Sequence, residues 1–244
     1  MRSMLVLLGC LVGLPLFVAV CLHFALQHEP HFYRDALDDH GDRQQASSDA
    51  MLENITSLLN RLRHDGRWGA LFTATQVNGW LAVDLKQNFD GLLPPEIEEP
   101  RVRISPGNLT IAARYRYGAV RTIVSLNVEL SMPEPGLMAL RVHNVRAGAI
   151  PIPLSRVLDG LSDAARSMNL HLRWAKTAGD PVALVSMTGL IGKDNHTYRI
   201  DALELRNDAI FLAGHTSKAT SEPAPAAPRP SMADQDAHSD TTQR

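Results

Sequence analysis

Leu109-Thr110-Ile111-Ala112-Ala113-Arg114-Tyr115-Arg116-Tyr117, then Gly118-Ala119, then Val120-Arg121-Thr122-Ile123-Val124-Ser125-Leu126-Asn127-Val128-Glu129-Leu130-Ser131-Met132 is the stretch that decides the fold class. Leu109, Ile111, Ala113, Tyr115 and Tyr117 alternate with Thr110, Ala112, Arg114 and Arg116. Thr122, Val124, Leu126, Val128, Leu130 and Met132 alternate with Ser125, Asn127, Glu129 and Ser131. A period of two means half-buried antiparallel strands. Gly118-Ala119 as a two-residue type II′ turn pairs Tyr117 with Val120, Ile111 with Leu126 and Leu109 with Val128.

The next hairpin extends the ladder. Leu130 opposite Leu140 and Val128 opposite Val142 leave a loop of about five residues, Pro133 to Leu137, suited to its Pro-Glu-Pro-Gly composition. This register carries Asn144 opposite Leu126 on the apolar face, because a shift by one would bury Arg141 and His143 instead. Gly148-Ala149-Ile150-Pro151-Ile152-Pro153 is too proline-rich for a central strand and leads into a helix from about Ser155, with Val157, Leu158, Leu161, Ala165 and Met168 apolar. Strand-like stretches return at Leu170 to Ala175, Val182 to Leu190, Thr197 to Leu205 and Ile210 to His215. Beyond Thr216 the Ala, Pro and Ser content predicts a disordered tail, 217–244.

Upstream the period is helical. Ser47 or Ser48 can cap a helix carrying Met51, Leu52, Ile55, Leu58, Leu59 and Leu62 and ending near Gly66. Trp68 to Phe72 reads as a short extended bridge. Thr73 and Gln76 stand in capping-box spacing before a second helix with Val77, Trp80, Leu81, Leu85 and Phe89 apolar, which ends before Gly91 and Pro94-Pro95. Residues 27–46, with Asp35, Asp38, Asp39 and Asp42, read as a polar stalk.

Met4 to Leu26 is almost continuously apolar. About 23 residues at 1.5 Å each cover roughly 34 Å, enough for a hydrocarbon core of about 30 Å. The run exceeds a secretory h-region and lacks a small-x-small triplet after it, so the expectation is an uncleaved transmembrane anchor at 4–26. Arg2 and the free amino terminus, weighed against Arg34 and Arg43, place residues 47–216 outside the cytoplasm, on the cell inner membrane as a single-pass protein.

Composition points to one core. The domain of about 170 residues is large enough to bury around 70% of its unfolded surface. A formal net charge of −2 among 244 residues removes any whole-chain electrostatic case for nucleic acid. Both cysteines, Cys10 and Cys21, lie in the apolar run, leaving the domain without a disulfide or a thiol nucleophile. The tightest histidine group, His28-Glu29-Pro30-His31, contains a proline that excludes two ligands on one helix face, and we read it as solvated rather than metal-binding. Ser155, Asp159 and Ser162 near His171 come from a helix and the adjoining strand, and we read them as ordinary helix surface rather than a triad. Arg114, Arg116 and Arg121 on the polar strand face could meet lipid phosphates, but pairing with Glu129 on a solvated sheet is preferred. No catalytic residue, metal site or cofactor is expected.

Phe72-Thr73-Ala74-Thr75-Gln76-Val77-Asn78-Gly79-Trp80-Leu81 and Gly148 to Pro153, within the layout of residues 47 to 216, resemble bacterial envelope proteins of the YpmS-like and YceB-like families and, more distantly, tubular lipid-binding (TULIP-type) domains. The resemblance implies helices along a curved sheet with a groove able to take acyl chains, and no catalytic residues.

The expected fold is therefore α+β: an N-terminal transmembrane helix, then a curved antiparallel sheet of about seven strands covered on one face by about three amphipathic helices. The groove candidates are Val77, Leu81 and Leu85 on the second helix, and Ile111, Ala113, Leu126, Val128, Leu140 and Val142 on the sheet. The functional expectation is a membrane-anchored envelope protein that binds an apolar ligand, a lipid or fatty acyl chain, in that groove. The alternative is a structural or protein-interaction module of an envelope complex with a closed core and no ligand.

Overall fold

The alternating stretches do form long antiparallel strands. The structure is a computed structural model that describes residues 20–38, 41–88, 93–118, 120–155, 158–159, 162, 166, 172–175, 180–187, 190–191 and 196–218. Strands β3 (Asn108–Tyr117) and β4 (Val120–Glu134) pair as the pattern requires, Tyr117 with Val120, Ile111 with Leu126 and Leu109 with Val128. Strand β5 (Leu137–Ala147) follows with Leu130 opposite Leu140 and Val128 opposite Val142.

Two details of the second hairpin differ from expectation. Glu134 pairs with Leu137, so the loop is only Pro135-Gly136, with Gly136 at φ 80° as a tight turn demands. A bulge between Asn127 and Val128 places Val145, not Asn144, opposite Leu126. Val145 is buried and Asn144 exposed. One extra residue thus spares the apolar face a buried amide.

Beyond the hairpins the single sheet resolves into two. A seven-stranded sheet runs β2 (Ile97–Ser105), β3, β4, β5, β8 (Val182–Ser186), β7 (Leu172–Ala175), with β6 (Ile150–Pro151) attached to β5. A four-stranded sheet runs β1 (Gly66–Thr73), β11 (Ala209–Lys218), β10 (His196–Arg206), β9 (Leu190–Ile191). The stretch expected as a bridge, Trp68 to Phe72, is the middle of β1, whose Trp68, Ala70 and Phe72 are buried while Leu71 is exposed. The sheets meet where β10 crosses β2 and β4. Backbone hydrogen bonds lock that corner: Gly107 N to Leu205 O at 3.1 Å, Leu130 N to Gly107 O at 3.1 Å and Asp208 N to Ile104 O at 3.3 Å.

Helices frame the sheets rather than blanket one face, which corrects the expected layout. Helix α1 (His31–Leu37) lies in the segment read as stalk, and α2 (Asp42–Leu62) starts before Ser47, leaving Ser48 inside the helix and fully buried. The second expected helix divides into α3 (Ala74–Ala82) and α4 (Asp84–Asn88), and Phe89 lies outside the described residues. The capping box forms as spaced: Gln76 N donates to Thr73 Oγ1 at 3.2 Å and Thr73 N to Gln76 Oε1 at 3.0 Å. In the helix expected from Ser155, the described residues 154–155, 158–159, 162 and 166 are helical, and Trp174 Nε1 of β7 donates to Ser162 Oγ at 2.8 Å. That bond makes Ser162 a packing residue, while His171 and residues 219–244 lie outside the described residues; Ser217 and Lys218, expected in the tail, are the last two residues of β11.

The expected N-terminal transmembrane helix is not supported by the described residues. No helix among the described residues is long and apolar enough to cross a membrane, and residues 4–19 of the apolar run lie outside them. Residues 20–26 are helical, and their end is pinned to the sheet. Ala149 N donates to Ala25 O at 2.8 Å and Thr122 Oγ1 to Leu26 O at 2.7 Å. A Cβ on Gly148, which sits at φ 59°, would run into the Ala25 carbonyl.

Helices α2 and α3 touch at Gly79, where a Cβ would lie 2.6 Å from Ser47 Cβ, 2.8 Å from Ser48 N and 2.9 Å from Gln44 O. Beside that crossing Ser48 Oγ donates to the buried Asp84 carboxylate, which also accepts from Asn88 Nδ2 at 2.9 Å. In an open helix Gly→Ala stabilises by roughly 1 kcal/mol. Here two of the three neighbours are backbone and the third is a Cβ fixed to it, so none can move aside without shifting α2. Gly79→Ala is therefore expected to destabilise, by about 1 to 3 kcal/mol, read as a lowered midpoint in urea unfolding with an unchanged slope.

Candidate functional site

The inward face of the seven-stranded sheet carries Leu109, Ile111, Ala113, Leu126, Val128, Leu130, Leu140 and Val142 by the period of two and the observed register. Helix α3 borders this face at its β2 edge. Asn78 Nδ2 donates to Val102 O at 2.9 Å and accepts from Val102 N at 2.7 Å through Oδ1. One amide thus replaces the strand neighbour that an edge residue lacks. The helix containing Ser162 borders the other end, at β7.

Between these borders burial is uneven. Ala113, Val128 and Val142 are buried, at 8%, 5% and 1% exposure. Ile111, Leu126 and Leu140 on the same face are only half-buried. Of the expected helical partners, Leu85 is buried and Val77 and Leu81 are half-buried. Because α3 packs against β1 and β2, Val77 and Leu81 belong to the rim of the face rather than to a lid across it, and Leu85 lies on the following helix α4. The apolar surface left incompletely covered lies on either side of the buried Val128 and Val142, at Ile111 and Leu126 in one direction and at Leu130 and Leu140 in the other.

The four-stranded sheet turns its own apolar face toward this seam. Ile200 and Leu205 of β10 are buried while Arg199, Asp201 and Glu204 are exposed. On that same face, by register, Trp68 Nε1, Thr216 Oγ1 and His196 Nδ1 are buried without hydrogen-bond partners. Each such atom costs on the order of 1 to 3 kcal/mol if left dry. These atoms share one face and mark places for water or for the polar atoms of a ligand. Residue types alone carried no signal for this, since a Trp, a Thr and a His from three strands come to one face only through the β1–β11–β10 pairing.

The outward face of the large sheet is covered by α1. Tyr33 is fully buried with Ala112 and Ile123, flanked by Phe32 and Leu37, and its hydroxyl donates to Glu99 O at 3.0 Å. Arg101 is buried beneath the same helix and donates to Ala36 O at 3.3 Å and Pro100 O at 2.8 Å. Burial lowers the Arg101 pKa below its ordinary value and pushes the Tyr33 phenol up to about 12, the latter against the pull of the Arg114 charge. The expected pairing of the strand arginines with Glu129 does not occur. Glu129 is taken by His143 at 3.0 Å with Arg141 at 3.8 Å, while Arg114 pairs with Glu99 at 2.6 Å and Arg116 with Glu98.

Among the described residues no group of three or more His, Cys, Asp or Glu is placed to hold a metal ion. Comparison with protein-family models, with curated proteins and with solved structures returns no match for this chain.

The Tyr33 contact has a defined pH signature. A phenol whose folded pKa is raised to about 12 from 10.0 gives the native state the tighter hold on its proton. Its contribution is complete below the unfolded pKa and is lost as pH rises through the folded one. Between those values the unfolding free energy is expected to fall with rising pH, and the wild-type curve minus that of Tyr33→Phe isolates this loss. At neutral pH Tyr33→Phe costs about 1 kcal/mol for the bond to Glu99 O, measured by urea titration.

Proposed function

We propose that the domain binds an amphiphile with a flexible hydrocarbon chain, a fatty acyl compound in chemical class, in the seam between the two sheets. The observation that carries this reading is that Leu109, Ile111, Leu126, Leu130 and Leu140 on the inward face are only half-buried, while Ala113, Val128 and Val142 beside them are buried. A closed core seals such residues as it seals Val142. Aliphatic side chains line the seam, and the whole chain has 5% aromatics, so the surface suits hydrocarbon better than a planar ring. The unpartnered Trp68 Nε1, Thr216 Oγ1 and His196 Nδ1 supply hydrogen-bonding capacity for a small polar head on the facing sheet. The resemblance to YpmS-like, YceB-like and tubular lipid-binding proteins points to the same ligand class. In this reading the domain holds or hands on its ligand in the cell envelope, and no residue acts on the ligand chemically.

The full chain is expected to take up parinaric acid saturably, with a rise in probe fluorescence that oleate reverses. Leu126→Trp is expected to abolish uptake while the melting temperature stays close to that of wild type, because the added ring enters unfilled space. Absence of saturable uptake by the wild type overturns the reading. So does a Leu126→Trp variant destabilised by the 1 to 3 kcal/mol typical of overpacking, roughly, since that cost belongs to a seam already full.

A further inference from the structure

On the outward face of the sheet, away from the apolar seam, a cleft of about 420 Å³ is lined by Leu26 and Glu29 from the N-terminal segment and by Glu98, Arg114, Arg116 and Arg121 from β2, β3 and β4. Its charges are unusually arranged. Arg116 and Arg121 stand directly opposite each other in the β3–β4 ladder, a like-charge cross-strand pair that weakens a hairpin unless something neutralises it. Glu98 answers Arg116 and Glu99 answers Arg114. Arg121 is exposed and has no carboxylate within ion-pair distance among the described residues. Glu29 lines the same cleft and has no cationic partner among them either.

A cleft that keeps one guanidinium and one carboxylate unpaired, each available to the space between them, is complementary to a ligand carrying both charges. We infer that it binds a zwitterion of the aminoalkyl phosphate class. Arg121 receives the phosphate, with Arg116 opposite as the second donor, and Glu29 accepts from the ammonium group. Phosphate suits the site because a guanidinium presents paired N–H donors in a plane that matches two phosphate oxygens, and because its negative charge offsets Arg121, the one of the two facing arginines that no carboxylate answers among the described residues. The pinned end of residues 20–26 holds Glu29 near the sheet through the bonds to Leu26 O and Ala25 O. The same chemistry occurs in a free aminoalkyl phosphate and in a phosphatidylethanolamine headgroup.

Calorimetric titration of the full chain with O-phosphoethanolamine, inorganic phosphate and ethanolamine tests the inference. O-Phosphoethanolamine is expected to bind about tenfold or more tightly than either half-ligand, the gain of one charge-assisted contact. Arg121→Gln is expected to lower that affinity by about tenfold or more. Glu29→Gln is expected to bring O-phosphoethanolamine down to the level of inorganic phosphate while leaving phosphate itself unchanged. Flotation with phosphatidylethanolamine vesicles against phosphatidylcholine vesicles separates the sources: retention by the former alone assigns a headgroup, and binding of only the soluble compound assigns a free ligand. No measurable binding of O-phosphoethanolamine, or equal binding by wild type and Arg121→Gln, overturns the site. A Glu29→Gln variant that still binds O-phosphoethanolamine as tightly as wild type overturns the role of Glu29. Parinaric acid uptake should be the same in all three proteins, so failure here is distinct from failure of the seam.

Discussion

The ladder between β3 and β4, ten residue pairs from Asn108 opposite Glu129 to Tyr117 opposite Val120, is the constraint on which the rest of the molecule depends. A strand of that length presents two faces, and neither can be left to water when one carries Ile111, Ala113, Leu126 and Val128 and the other Ala112 and Ile123. The fold answers each face with a different device. The N-terminal segment crosses the outward face and inserts Tyr33, while the second sheet, α3 and the helix holding Ser162 surround the inward one. The central hairpin is thus flanked on both sides.

The joints of this arrangement are polar. Asn78 gives the edge strand β2 an amide in place of a strand neighbour. The β2–β3 and β10–β11 turns exchange backbone hydrogen bonds at the corner of the two sheets. Ser48 and Asn88 satisfy the Asp84 carboxylate beside the Gly79 crossing. Each contact contributes only about 1 kcal/mol net, but each would cost more if unmade in a buried setting. They therefore set the geometry, whereas apolar burial supplies most of the stability. The inward face departs from this economy: half-buried aliphatic residues and three unpartnered polar atoms lie on surfaces that the fold turns toward each other.

Much of the sheet was legible because alternation and turn chemistry agree. Gly118-Ala119 and the pattern on either side specify one register, and the structure adopts it. The bulge at Asn127 was not legible, since a pattern of two cannot register an extra residue whose purpose is to turn Asn144 outward. Strand β2 was hidden by Pro100 and by Arg101, a residue type that sequence reading places in solvent and that here is buried under α1. The pair Tyr33 and Leu37, four residues apart in an acidic stretch, was the available sign of α1. The long apolar run before it drew the reading toward a membrane instead.

The sequence by itself determined local conformation: the capping box at Thr73 and Gln76, the alternation of β3 to β5, the turns, and the set of side chains that must avoid water. These follow from bonding geometry within a few residues of each position. Only the tertiary structure decided that β1, β10 and β11 leave the main sheet to form a second one, that Glu29 comes to the cleft of Arg116 and Arg121, and that Trp68 Nε1, His196 Nδ1 and Thr216 Oγ1 are buried on one face without hydrogen-bond partners. The reason is physical: pairing between distant strands is selected by the burial of whole faces, a sum over contacts far apart in the chain, and no short window of residues contains that sum.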